Sequence, residues 1–549
     1  MGKPTSTRAQ PRFVRSAGGA VSSTSKTGVV SSTSKPRVVQ PAVPPPASSR
    51  SRRQLLEWSV SVLVVIGASI LAGRAGCGFD ATWALIWARD ALHLQVASIP
   101  AHAFSVTPHP GALALGMIAG VAGFGHTAMT AWSWLVEVAV VATFAGVVRL
   151  GGLCRSYPAG WIAAVAIAVV PGVRDGVGRG TTDVVCAAAC VWAVVLIRTR
   201  PRLALGFAAF AALCRPEAWL VLAALGAMRW PKLSKRTRAA ALGLGAAVPV
   251  VWLAMGATMF GDILAAVHVT VSNDQGASAR GTSFAHTMLH LPASFGIVVI
   301  FGLILTANSL RRKRDGGSSA RRRDHAARSR VRGRATGARH WDDAIPLVTT
   351  IALALGLLAE VADGATFVPR YATPILILAV PTALAAIFAA SGQLRLPHLR
   401  PLALQSTVLP TVAAGALVSL LTVAFWSTRD ARLGDNNKFA AQQRAVGTLL
   451  AVVDSRPARQ CRGVAIPNSA LNPVVVLAFP EGSHIDIANG VDIANGVGAR
   501  AGECTVSAAN VDALNADGWG PTSIGQFGGP SVGAARVVAD NNEWVLYER

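Results

Sequence analysis

The apolar residues of this chain come in near-continuous blocks of about twenty, and no other feature limits its fold so strongly. A helix needs about 20 mainly apolar residues to cross a bilayer. Blocks of that kind occupy 55–73, 128–148, 158–172, 182–198, 238–257, 291–309, 343–362, 371–391 and 404–427. Charged residues make up 14% of the 549 and the mean hydropathy is +0.45. A soluble protein has about a quarter of its residues charged, so this chain cannot cover a water-facing surface of its size. The expectation is a polytopic α-helical membrane protein with polar appendages.

A net charge of +24 suggests nucleic acid until its distribution is read. Residues 1–54 carry ten Lys/Arg and no acid, and 310–340 carry twelve Lys/Arg against Asp315 and Asp324. These two stretches hold 20 of the 24 charges, while 428–549 has ten basic and twelve acidic residues. Lys and Arg resist translocation, so basic stretches beside apolar blocks mark cytoplasmic loops. Neither stretch has zinc-finger spacing or interleaved aromatics, which argues against nucleic acid as a partner. Membrane lipids with anionic headgroups suit this charge better. The tail 1–54, rich in Ser, Thr and Pro, reads as disordered, and the first apolar run reads as a retained anchor. Arg outnumbers Lys 44 to seven; with abundant Ala, Gly and Val this hints at a GC-rich bacterial genome and hence a bacterial plasma membrane.

Charge parity gives a topology. With the N-terminus inside, Asp80 emerges outside. Residues 109–125 are then expected in the outer interface rather than across the bilayer. Residues 203–229 are expected as a hairpin of two short helices with Arg215-Pro216-Glu217 at its outer tip. The result is about eleven crossings over 55–427, with 310–340 as a cytoplasmic loop. The outer face receives 74–127, 173–181, 258–290 and 363–370, followed by 428–549. That last segment reads as a small extracytoplasmic α/β domain: a helix at Lys438–Val453, strands at Gly463–Ile466, Val474–Phe479 and Glu543–Tyr547, and an immediate repeat, Asp486–Val491 and Asp492–Val497. Cys461 and Cys504 share this domain and form a candidate disulfide. Cys186 and Cys190 fall in a span and Cys214 at the hairpin turn, where a thiol behaves as a small apolar group.

The first outer loop carries the most chemistry. It contains Gly76-Cys77-Gly78-Phe79-Asp80, then Trp87-Ala88-Arg89-Asp90, then Thr107-Pro108-His109-Pro110. A carboxylate just beyond the first span lies at the depth of a polyprenyl-phosphate headgroup. There it can take a proton from an acceptor hydroxyl while that oxygen attacks an anomeric carbon. Read alone, Asp80 merely ends a helix at the interface. An acid after the first span, a downstream Pro-His-Pro and an apolar stretch to Gly125 together resemble the start of the GT-C superfamily of integral-membrane glycosyltransferases. That superfamily includes protein mannosyltransferases, aminoarabinose transferases and actinobacterial mannosyl- and arabinosyltransferases. Three further elements are similar to it: Gly180-Thr181-Thr182-Asp183, the stretch from Leu205-Gly206 to Cys214-Arg215-Pro216-Glu217, and Pro369-Arg370-Tyr371-Ala372-Thr373-Pro374.

The resemblance covers roughly 55–391 and rests on short motifs in a given order. It implies an enzyme that transfers a hexosyl or pentosyl unit, with inversion, from a polyprenyl-phosphate-linked donor to an extracytoplasmic acceptor, whether glycan, lipid or protein. It implies interfacial helices in the first outer loop. Asp80 would be the catalytic base; Asp90, ten residues on, would be a second acid or the base itself, since relatives often carry paired acids where Asp80 is followed by Ala81. Arg370 would hold the donor phosphate, with Arg215 second, because a guanidinium can donate two hydrogen bonds at once. His109, Asp183, Glu217 and Tyr371 would line the site. No metal ligand set is implied with certainty, and dependence on a divalent metal stays open.

Several residues have competing readings. Glu137 and Glu360 lie within expected spans, where a carboxylate is costly; Glu137 suits a hydrogen bond to a neighbouring helix. Trp83, Trp87, Trp132 and Trp134 suit an interfacial aromatic belt. His268, His286 and His290 follow no metal spacing. A multi-pass transporter or lipid flippase is the rival class, which predicts ionisable residues at mid-bilayer and internal repeats. A non-catalytic scaffold presenting the tail domain is a third.

Overall fold

The computed structural model describes residues 47–94, 108–121, 123–154, 156–265, 304, 332–362 and 369–391, and five strands within 464–548. The chain divides into two units, Met1–Arg53 and Gln54–Arg549; of the first, residues 47–53 are described and are helical. The basic tail before 47, the histidines of the 258–290 loop and the expected span 404–427 lie outside the described residues, as does 291–309 apart from residue 304.

Helices follow the apolar blocks. They are α1 (Ala47–Ala72), α2 (Phe79–Leu92), α3 (Pro110–Gly120), α4 (His126–Leu153), α5 (Tyr157–Ala168), α6 (Pro171–Gly178), α7 (Thr182–Leu196), α8 (Pro201–Cys214), α9 (Trp219–Arg229), α10 (Lys235–Phe260), α11 (Arg332–Ala362) and α12 (Thr373–Ser391). Among the described residues, Gln54–Ala72, Thr127–Leu153 and Lys235–Phe260 are long and apolar enough to cross a membrane. The pair Tyr157–Ala168 and Gly172–Gly178 passes the same criterion as one span bent by 66°.

Local chemistry explains the boundaries. Ser156 caps α5 by accepting from Ala159 N, and Ser234 caps α10 by accepting from Thr237 N, each meeting one of the orphan donors of a first turn. α10 ends at Gly261 in the left-handed region, φ 66°, the usual glycine stop. Residues 203–229 break where proline dictates: α8 stops at Cys214, Arg215 is extended at φ −150° and ψ 128°, and a single 3-10 turn, Pro216–Ala218, leads into α9. The residue before a proline is pushed out of the helical region.

α7 is the buried centre. Nearly its whole surface, Thr182 to Val195, is covered by α4, α8 and α12. Its alanines and cysteines present little bulk, which lets neighbouring backbones approach, as in membrane helix interfaces. The α4–α5 contact is closer still: a Cβ on Gly151 would lie 2.5 Å from Gly160 Cα.

Helix α6 occupies most of the expected outer segment 173–181, up to Gly178. α11 begins at Arg332, inside the expected 310–340 loop. Trp83 and Trp87 are 2% exposed and Trp132 1% exposed, so they pack inside the protein; Trp134, at 66% exposed, remains on the outside. The reason is helix packing: α2 lies against α3, and Gly116 approaches the Ala84 carbonyl so closely that a Cβ there would sit 2.7 Å away.

The described strands of the tail are β1 (Val464–Pro467), β2 (Ile487–Ala488), β3 (Cys504–Ala508), β4 (Arg536–Asp540) and β5 (Trp544–Glu548). They form a mixed sheet of order β2-β1-β3-β5-β4, in which β1 runs parallel to β2 and β3 while β5 is antiparallel to β3 and β4. β1 and β5 fall on expected strands and β2 lies in the first copy of the repeat. The expected helix 438–453, the strand 474–479 and Cys461 lie outside the described residues, and with Cys461 so does the candidate disulfide.

Candidate functional site

The segment between α1 and α2, residues 73–78, is an extended strap with no helix of its own. Its N–H groups are met from two sides. Ala75 N donates to Glu137 Oε1 on α4 at 2.7 Å. Gly76 N donates to Val177 O at 3.3 Å and Gly78 N to Arg179 O at 2.8 Å. The strap therefore lies along the end of α6 and the turn that leads into α7. The glycines are required by contact. Gly180 has φ +62°, and a Cβ there would fall 2.0 Å from Gly76 O; one on Gly78 would fall 2.8 Å from Arg179 O.

Asp80 follows directly, in the first turn of α2, where the helix dipole favours a negative charge. It is partly exposed. Asp90 lies at the other end of the same helix, largely buried, beside Arg89 at 3.4 Å. Burial pushes the Asp90 carboxyl above its ordinary value, and the Arg89 charge only partly opposes this. The two acids are therefore separated by the length of α2, about 15 Å at 1.5 Å per residue.

Asp183 lies in the first turn of α7, 1% exposed, and is paired with Arg215 Nη2. The Arg215 guanidinium also lies over the Tyr371 ring, 4.2 Å from its centroid. The Tyr371 turn, Pro369–Ala372, packs on α6 and carries Arg370 in its backbone. Glu217 follows Arg215 in the 3-10 turn, is buried, and abuts α11 where Gly356 leaves room: a Cβ on Gly356 would lie 2.8 Å from Glu217 Cβ. Glu217 Oε2 and Arg215 Nε have no hydrogen-bond partner among the described residues.

His109 precedes α3, whose first residue, Pro110, is preset for a helix start. Its ring is buried edge-on against Trp252, 5.5 Å between centroids. Trp252 in turn donates to Ala212 O at 3.1 Å. Gly111 sits so close to the end of α8 that a Cβ would lie 2.6 Å from Cys214 Sγ. The start of α3 is thereby set against the residue that precedes Arg215.

The structure thus gathers Asp183, Arg215 and Tyr371 in direct contact, with Glu217 next to them in the chain and His109 against the same helix end. The Asp80 strap joins this group through the 177–180 turn. Asp90 lies apart from the strap, at the far end of α2. Sequence reasoning did not find the Asp183–Arg215 pair, although one signal was available: lone charges inside apolar helices are expected to pair. It also left the task of Glu137 open, which the Ala75 bond now specifies.

As to a metal, no three His, Cys, Asp or Glu side chains gather in a way that could hold an ion among the described residues. Asp183 is taken up by Arg215.

The sequence matches no protein-family model and no curated protein. Among solved structures, the chain is similar to the crystal structure of the Archaeoglobus fulgidus oligosaccharyltransferase in the apo form, with a TM-score of 0.42 and 12% identity over 82% of this chain and 69% of that one. It is also similar to the archaeal oligosaccharyltransferase AglB from Archaeoglobus fulgidus in complex with an inhibitory peptide and a dolichol-phosphate, with a TM-score of 0.43 and 12% identity over 83% of this chain and 70% of that one.

Proposed function

We propose that this chain is a membrane glycosyltransferase that moves one sugar from a polyprenyl-phosphate carrier to an acceptor hydroxyl on the outer face of the membrane. One observation carries the reading. The strap of Asp80, the first turn of α7 with Asp183, the Arg215-Pro216-Glu217 break and the Pro369–Ala372 turn are joined to one another by the contacts described above. These are the segments whose order in the sequence resembles the GT-C superfamily.

In the proposed step the Asp80 carboxylate accepts the proton of the acceptor hydroxyl as its oxygen attacks the anomeric carbon. The bond between that carbon and the phosphate oxygen breaks, and the polyprenyl phosphate leaves with the bonding electron pair. Attack from the face opposite the leaving group inverts the configuration. The proton passes from Asp80 to water.

Arg370 holds the donor phosphate in this reading. Arg215 has a different task. Its charge is met by Asp183 and its face by Tyr371, so it anchors the turn that carries Arg370. Asp90 sits too far along α2 to share a proton with Asp80 and serves acceptor binding or local structure.

The test uses the full-length protein in membranes, supplied with radiolabelled sugar either as a polyprenyl-phosphate conjugate or as a nucleotide conjugate. Transfer from the lipid-linked donor alone is expected. Transfer only from the nucleotide sugar, or ATP- or ion-driven movement of lipid without transfer, would remove the proposal.

A further inference from the structure

We propose that Glu137 is a positioning residue: from within α4 its carboxylate grips the strap between α1 and α2 and so sets the place of Asp80. The proposal rests on the reading of Asp80 given above. Within Thr127–Leu153, a stretch long and apolar enough to span a membrane, Glu137 is the only acid. A carboxylate in such a setting is costly and marks a task.

The task is legible in the hydrogen bonds. Buried backbone donors need partners, and the strap cannot find them within a helix. Ala75 N is met by Glu137 Oε1 at 2.7 Å, Gly76 N by Val177 O and Gly78 N by Arg179 O. The opposite wall of the strap is held by the same helix: Trp132, five residues before Glu137 on α4, donates Nε1–H to Gly180 O at 2.8 Å. α4 therefore grips the strap with one side chain and the strap's partner turn with another. From Gly78 the geometry passes straight into α2, because Thr82 N and Thr82 Oγ1 both donate to Gly78 O, at 2.9 and 2.8 Å. Asp80 lies inside that turn. Of these three bonds to other parts of the chain, the one to Ala75 comes from a side chain, so it is the bond a substitution can delete.

The fit of the Glu137 oxygen, rather than its charge, is what the strap needs. Glu137→Gln keeps an oxygen acceptor; Glu137→Leu removes it and leaves the Ala75 N–H without its partner. Cys77, in the middle of the strap, provides a reporter that does not depend on activity. Its thiol is buried, 3.8 Å from Thr82 Oγ1, and burial pushes it up to about 12, so it reacts slowly while the strap is held.

The experiment measures two quantities on full-length wild type, Glu137→Leu and Glu137→Gln. One is the rate at which N-ethylmaleimide labels Cys77, read by peptide mass spectrometry; the other is sugar transfer from the polyprenyl-phosphate donor. In Glu137→Leu, Cys77 labelling is expected to rise roughly tenfold or more, the equivalent of one lost charge-assisted hydrogen bond. The kcat is expected to fall roughly a hundredfold with donor KM little changed, as for a misplacement of about 1 Å at the reacting group. Glu137→Gln is expected to resemble wild type in both.

Wild-type labelling in Glu137→Leu overturns the grip. Faster labelling with unchanged kcat overturns its role in placing Asp80. A Glu137→Gln variant as impaired as Glu137→Leu overturns the positioning role in favour of a charge or proton role. If wild type transfers no sugar, the proposed function fails, while the labelling comparison still decides whether Glu137 holds the strap.

Discussion

Replacing Arg215 by Met should destabilise the protein by about 3–5 kcal/mol, the cost of stripping one partner from a buried ion pair. The magnitude follows from the surroundings. Asp183 is 1% exposed and loses the guanidinium that faces it. Tyr371 loses a cation 4.2 Å above its ring, worth about 0.5–2 kcal/mol. Glu217 is a second buried carboxyl beside the gap and cannot help. The double variant Arg215→Met/Asp183→Leu removes both charges and fills their space with apolar atoms. It should recover at least about 2 kcal/mol relative to Arg215→Met, because apolar replacement of a whole buried pair is often neutral. The assay is SDS-titrated unfolding of purified full-length protein in mild detergent, followed by tryptophan fluorescence, for wild type, both single variants and the double. An Arg215→Met variant within about 0.5 kcal/mol of wild type, or a double variant less stable than both singles, would refute the idea that these residues form a committed pair.

Other perturbations test neighbouring parts. Gly180→Ala should cost about 2–4 kcal/mol by combining left-handed strain with overpacking against Gly76 O. Gly206→Ala, inside α8 with open space around it, should instead stabilise by about 0.5–1 kcal/mol; thermal midpoints compare the two. Tyr371→Leu removes both the ring under Arg215 and the hydroxyl bonded to it and should lose at least about 0.5–2 kcal/mol in the same unfolding assay, with Tyr371→Phe, which keeps the ring alone, falling between it and wild type. For Asp90, burial raises the folded-state pKa above 3.8, so the folded protein binds this proton more tightly than the unfolded chain. Stability from this group is fully present below 3.8 and is lost as pH rises through the raised value. Asp90→Asn should therefore be more stable than wild type at pH 7, with the gain shrinking toward pH 4.

Much of the helical layout can be read from composition, for physical reasons that operate locally. The break at Arg215 follows from Pro216, since proline and its predecessor both resist the helix, and the separation of α3 from α4 follows from the glycine-rich run ending at Gly125. Other features are set by contacts distant in sequence. Asp183 and Arg215 are 32 positions apart, and nothing in their flanks says that they meet. Trp83 and Trp87 suit a membrane interface by type, but α3 and α10 cover them, with the Phe260 ring 5.4 Å from that of Trp87. The strap shows both kinds of information. Gly78 and Gly180 are visible as small residues, yet their reason is the close approach of Arg179 and of the Gly76 carbonyl, which only the folded chain supplies.

The central claim is that Asp80 takes the acceptor's proton during sugar transfer. The most direct test is the initial rate of transfer from the polyprenyl-phosphate donor, comparing wild type with Asp80→Asn at matched membrane insertion. Loss of a general base should lower kcat by about 10²–10⁴-fold, while donor binding and insertion stay at wild-type levels. Undiminished transfer by a stably inserted Asp80→Asn protein would contradict the account.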